Sequence, residues 1–282
     1  MAIRILTDST ADLTAQQAAD LNVEVIPLKV MFGTQEFLDG VTISVEEFYE
    51  KMVSSAKLPT TSQPSPAQFL AHFEAAQEAQ DEVIVLTISS AISGTYQSAN
   101  IAKETCGYEK IYLIDTATAT LGAQLLVLLA VKLRQQGLSA QEIALELETQ
   151  KYNICLLAFV DDLKYLKRGG RLSGAGAVAG TLLGIKPIVE VAEGKVVVAG
   201  KARGLPGAYV NIFKLMETRG GVDEAYPVCV GYTGERQSVE PFYRYITNNL
   251  KLSKPYISPI GSVIGVHAGP GAGGIAFFKK NK

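Results

Sequence analysis

Apolar runs at residues 3–7, 83–88 and 111–114 are short, rich in β-branched side chains and not broken by polar alternation. Each leads into a polar turn and then into apolar positions at helical spacing. Continuous apolar strands that alternate with helices predict a parallel sheet covered on both faces. Three helix starts carry capping boxes: Ser44 before Glu47, Ser65 before Gln68 with Pro66 at the first helical position, and Ser139 before Glu142. Residues 23–40, VEVIPLKVMFGTQEFLDG, depart from this pattern and predict two extended arms around Gly33 and Thr34, a hairpin attached to the parallel core.

The second half reads differently. Strand-like runs at residues 154–160, 186–191, 196–199, 228–232, 263–266 and 275–278 outnumber the two helices expected near 207–216 and 235–249. Glu193 and Gly194 lie between two β-rich arms and predict a hairpin. That mixture predicts an α+β layer with a mixed or antiparallel sheet. The expected fold class is therefore α/β in two domains. Residues 1–150 form the α/β/α parallel-sheet domain and residues 151–282 the α+β domain, divided near Lys151 after a helix at 141–150.

At 48% apolar and 19% charged residues, the 282-residue chain can bury a large core. A net charge of −2 supplies no basic field, which argues against a nucleic-acid partner. The chain opens directly on a strand-like run, without the regions of a signal peptide, and its longest apolar run, residues 125–131, is too short to span a bilayer. Cys106, Cys155 and Cys229 are widely separated and suit buried thiols in a reducing compartment. The expected location is the cytoplasm. No metal site is expected, because the two histidines are far apart and no cysteines pair.

Four segments crowd polar groups where strands end. In TDSTADL, residues 7–13, Asp8, Ser9, Thr10 and Asp12 follow the first strand and form either a ligand site or a capped turn. In LPTTSQPSPAQF, residues 58–69, prolines stiffen the backbone that carries Thr60, Thr61 and Ser62, three hydroxyls able to donate to an anion. In TISSAISGTYQSA, residues 87–99, Ser93, Gly94 and Thr95 open a helix whose free amides favour an anion, although Ser93 is equally readable as a plain cap. In GVHAGPGAGGIAFF, His267 ends an apolar strand and faces a cleft, whereas His72 reads as a surface or packing residue. A fifth segment, residues 163–188, places Lys167, Arg168 and Arg171 before a small-residue run at 174–180. Its G-x-G-x-x-x-G spacing does not match a dinucleotide site but suits a tunnel wall.

Taken together, DSTADL, PTTSQPSPAQF, SSAISGTYQSA, LKYLKRGGRLSGAGA and IGVHAGPGAGG resemble the DegV family in order and over essentially the whole chain. The resemblance implies a two-domain fold with a lipid tunnel between domains that holds one long-chain fatty acid. It places the carboxylate at Thr61, Ser93 and His267, with Thr60, Ser62, Gly94 and Thr95 supporting the head-group region. Arg171 and Arg203 then become candidates for acyl phosphate or for docking the catalytic subunit of a fatty acid kinase. The segment KARGLPGAY after the second-half hairpin is less basic than the family's, and this bears on the kinase contact more than on the lipid site. On this reading the chain is not catalytic alone, needs no cofactor beyond the bound lipid, and makes at most transient contact with a membrane surface. Two other readings stay open: a stand-alone acyl hydrolase using Ser93 and His267, oriented by Asp8 or Asp115, and a sugar or nucleotide phosphate sensor.

Overall fold

In a computed structural model of the chain, residues 2–174, 184–250 and 255–280 are described. The first half runs β1 (Ile3–Asp8), α1 (Ala15–Leu21), β2 (Val23–Ile26), β3 (Lys29–Phe32), β4 (Gln35–Leu38), α2 (Val45–Ser54), β5 (Thr60–Ser62), α3 (Pro66–Glu78), β6 (Glu82–Thr87), α4 (Thr95–Cys106), β7 (Ile111–Asp115), α5 (Thr120–Gln135) and α6 (Ala140–Gln150). There follow β8 (Ile154–Phe159), α7 (Lys164–Arg168), β9 (Ile185–Ala192), β10 (Lys195–Arg203), α8 (Gly204–Thr218), β11 (Cys229–Tyr232), α9 (Glu240–Leu250), β12 (Tyr256–Pro259), α10 (Ser262–Ala268) and β13 (Gly273–Phe278).

The apolar runs of the first half assemble a four-stranded parallel sheet in the order β2-β1-β6-β7. The second half builds a six-stranded sheet in the order β10-β9-β8-β13-β11-β12, antiparallel except where β11 and β12 run side by side. The fold is thus a mixed α/β architecture with one parallel and one mixed sheet. Capping boxes form at Ser44 and Ser139, and the Gln68 side chain reaches back to the Ser65 amide at 3.0 Å. A fourth box, Thr14 with Gln17, opens α1. Glu193 and Gly194 both adopt left-handed backbone angles, as a tight hairpin turn between β9 and β10 requires.

Helix α5 shows why the two sheets share one core. It is apolar nearly all round, so no face of it can meet water without cost. Leu125, Leu126 and Ala130 pack in one cluster with Ile5 and Ile84 of the parallel sheet and with Leu156, Ala276 and Phe278 of the mixed sheet. Among the described residues, no helix is long and apolar enough to cross a membrane.

Three local expectations need correction. Residues 263–266 form no strand; they lie inside helix α10, flanked by Gly261 and Gly269. Four apolar residues cannot distinguish a period of two from one of 3.6, and tertiary contacts decided the outcome. The predicted arm at 23–32 splits, with β2 joining the parallel sheet while β3 pairs with β4 across Gly33. The stiffened loop of hydroxyls is itself a strand: β5 pairs with β3, setting Thr61 opposite Val30.

Candidate functional site

Thr61 sits in the centre of β5, between Pro59 and Pro64, both buried. Its hydroxyl lies 3.0 Å from Nε2 of His267, which occupies the last turn of α10. Burial, and secondarily the Arg171 guanidinium, pushes the imidazole down from its ordinary value to about 4, so it is neutral near pH 7. A neutral ring can accept the threonine proton or donate its own, according to tautomer. Nδ1 is buried with no hydrogen-bond partner among the described residues. Directly against it lies Gly169, at the end of α7, where any Cβ would overlap the ring nitrogen. Glycine there is a packing requirement of the imidazole.

Ser93 arrives on the loop between β6 and α4. Asp8 accepts from the Ile88 amide at 2.8 Å and Ser93 donates its own amide to Ser89 at 3.1 Å, so the loop is tied down before the helix starts. The Ser93 hydroxyl lies 2.9 Å from the Thr95 hydroxyl, which is fully buried. Arg171 links the pieces: its Nε donates to the carbonyl of Ile92 at 3.1 Å and its terminal amine to that of Gly169 at 2.6 Å. One guanidinium therefore touches the residue before Ser93 and the residue packed on His267.

Thr61, Ser62, Gln63, Ser93, Arg171 and His267 all line one cavity of about 360 Å3. Apart from Thr120, Glu190 and Thr233, its remaining wall is apolar and is drawn from both halves of the chain, including Leu121, Leu156, Val189, Val191, Ile260 and Val263. Gly231, Gly273 and Gly274 lie under it on β11 and β13; at Gly231 a Cβ would collide with Ile260 and Leu121, two other wall residues. Size and lining fall in the range of small-molecule sites, which combine an apolar wall with few convergent polar groups.

Thr61 and His267 are in direct contact, and Ser93 and Arg171 share their cavity. Thr60 is exposed beside them. Gly94 faces the Gln63 side chain, which a Cβ would overlap, and Thr95 supports the Ser93 hydroxyl. Arg203 ends β10 in an exposed position away from the cavity wall. Of the small-residue run expected as tunnel wall, residues 175–180 lie outside the described residues. Asp115 accepts from Ser90, and Asp8 from Thr10 and Ile88; neither pairs with His267. Sequence reasoning missed Gln63, which lies over Gly94 and donates to Ser98 at 2.9 Å, and Gly169. The adjacent pair Gly169-Gly170 was a visible signal, but its meaning depends on a histidine nearly a hundred positions away.

These features define a mixed α/β protein that encloses one apolar cavity with a polar corner of hydroxyls, an amide, an arginine and a neutral imidazole. A family model described as "Uncharacterised protein, DegV family" matches residues 2–280, and the chain belongs to that family. It is 38% identical over 280 residues to a DegV domain-containing protein of Deinococcus radiodurans, covering 98% of each chain. It is 32% identical over 278 residues to Protein DegV of Bacillus subtilis, covering 98% of this chain and 99% of that one. Among solved structures it is similar to a DegV family protein from Thermus thermophilus described by its fatty acid binding, with TM-score 0.90, 34% identity and coverage of 99% and 100%. A stearic acid-binding protein from Eubacterium ventriosum matches with TM-score 0.89, 28% identity and 99% coverage of both chains.

Proposed function

We propose that the cavity holds the tail of one long-chain fatty acid, with its carboxylate in the polar corner at Thr61, Ser93 and His267. The observation that carries this reading is the contact between Thr61 and a neutral His267 at the edge of a mostly apolar cavity. Burying about fifteen methylenes at roughly 0.8 kcal/mol each supplies on the order of 12 kcal/mol before association costs. Such a tail can draw a carboxylate out of water only if several donors replace its hydration. Two hydroxyls and a ring N-H are suitable donors, and Arg171 adds a positive charge in the same corner. The fatty acid binding of the Thermus thermophilus and Eubacterium ventriosum proteins supports the same reading.

On this reading the chain is a carrier that works in the cytoplasm. It presents the carboxylate to the catalytic subunit of a fatty acid kinase for phosphorylation to acyl phosphate, with Arg171 and the exposed Arg203 on the side the kinase meets. A stand-alone hydrolase has less support: the Ser93 hydroxyl is paired with Thr95, and no carboxylate orients His267 among the described residues.

The test is mass spectrometry of gently denatured protein, followed by titration of the lipid-stripped protein with oleate. A stoichiometric fatty acid, or saturable binding of one oleate, is expected. An empty protein that also refuses oleate overturns the reading. For the partner, the oleate complex with a kinase catalytic subunit and ATP should form oleoyl phosphate, and an unreactive complex removes that step.

A further inference from the structure

Helix α10 has seven residues, too few to be stable by itself, yet it carries the imidazole of the polar corner. Its N-terminal end is held by two carboxylates from elsewhere in the chain. Asp12 accepts from the Gly261 amide at 2.9 Å. Asp39 accepts from the Ser262 amide at 2.9 Å and from the Ser262 hydroxyl at 2.5 Å. Tyr49 adds a third tie, donating its hydroxyl to the carbonyl of Ile260 at 3.0 Å. Asp12 is 5% exposed, Asp39 6% and Ser262 1%, so water cannot substitute for these bonds. Gly261 makes the double approach feasible: a Cβ there would stand 2.9 Å from one Asp12 oxygen and 3.2 Å from an Asp39 oxygen.

Burying carboxylates near one another is costly, and no ion pair involving Asp8, Asp12 or Asp39 occurs among the described residues. A cost of this kind persists where it fixes a geometry. Asp12 also accepts from the hydroxyl of Thr120 at 2.5 Å, and Thr120 is a β-branched residue at φ 45° on the cavity wall. The clamp therefore joins three things: the turn after β1, the first turn of α5 and the start of α10.

We propose that Asp12 and Asp39 are positioning residues for His267, fixing the register of α10 and thereby the selectivity of the site for a carboxylate over an uncharged head group. Neither touches the ligand. They act through the helix, which is gripped at one end and presents the imidazole to Thr61 at the other. The proposal rests on the reading of the polar corner as a carboxylate site. It adds that the acids after β1 and β4 are part of the same machine, and that their removal is felt at the head group rather than along the tail.

The test compares oleic acid with oleyl alcohol, an equal tail with an uncharged head, by displacement of cis-parinaric acid from the full-length protein. The wild type should prefer the acid by about tenfold or more, the effect of hydrogen bonds to a charged group. Asp39→Ala should lose most of that preference while alcohol affinity stays within about twofold, because the tail contacts remain. Asp39→Asn, whose amide oxygen can still accept from Ser262, should retain it. Ser262→Ala, which keeps the amide but loses the hydroxyl, should fall between them, and remains informative if Asp39→Ala does not fold. With only two histidines in the chain, ring nitrogen NMR gives a second readout. In Asp39→Ala the His267 signals should shift while those of His72 do not. Unchanged preference with unmoved His267 signals overturns the proposal. A wild type that shows no preference for the acid overturns the carboxylate reading instead, whatever the variants do.

Discussion

His267 places Nε2 3.0 Å from the hydroxyl of Thr61 although 206 positions separate them in the chain. The contact joins α10, which connects β12 and β13 of the mixed sheet in the chain, to a strand of the small sheet β4-β3-β5, so it exists only when both are docked. Replacing the threonine by valine keeps the shape and removes the donor. Thr61→Val should weaken oleate binding by about tenfold, the worth of one hydrogen bond to a charged group, while the melting temperature changes little. Calorimetric titration of lipid-stripped protein checks this, and unchanged affinity would remove Thr61 from the site.

The neutral imidazole gives the protein a pH dependence of defined sign. Folding lowers the His267 value from 6.5 to about 4, so below pH 6.5 the unfolded chain binds a proton that the folded one refuses. This contribution is complete above pH 6.5 and is lost as the pH falls toward 4. In urea titrations, the stability of wild type relative to His267→Gln should drop by about 2 kcal/mol between pH 7 and pH 5. A constant difference across that range would mean that the ring takes up its proton as readily in the folded state as in the unfolded chain.

The buried acids act in the opposite direction. Burial raises Asp12 well above 3.8, and it raises Asp8 and Asp39 as well, so the folded state holds these protons more tightly than the unfolded chain. The stability linked to them is complete below pH 3.8 and is lost as the pH rises through the folded values. Asp12→Asn, which cannot ionise, should gain on the wild type as the pH is raised from 5 to 8. Urea midpoints at the two pH values report the difference, and a variant that holds level with or loses ground to the wild type over that range would contradict it.

Gly169 and His267 should behave as one unit. A methyl group at position 169 would overlap Nδ1, so Gly169→Ala should cost about 1–3 kcal/mol by overpacking and should weaken oleate binding as the ring is displaced. In a His267→Ala background the same change should cost far less. A double-mutant cycle measures the coupling, and additive effects would show that the ring moves aside freely.

Much of the fold was legible because it depends on local rules. The runs at the positions of β1, β6 and β7 are continuous and apolar, which only a strand covered on both faces tolerates, and all three lie in the parallel sheet. The capping residues Ser44 and Ser139 need only their own first turns to satisfy their bonds. Helix α10 was misread because its short apolar stretch has no period of its own. What makes it a helix is a pair of carboxylates more than two hundred positions away, accepting from the amides of Gly261 and Ser262.

The strands β1, β6 and β7, the caps at Ser44 and Ser139 and the tight hairpin at Glu193-Gly194 follow from neighbours in the chain, and the sequence by itself determined them. It also marked the segments where polar groups collect. Only the tertiary structure decided which of those groups meet: that Thr61 faces His267, that Arg171 spans Ile92 and Gly169, and that Arg203 stays apart from the cavity. Hydrogen bonds and packing act over a few ångströms in space, and separation along the chain carries no record of that distance until the sheets are docked.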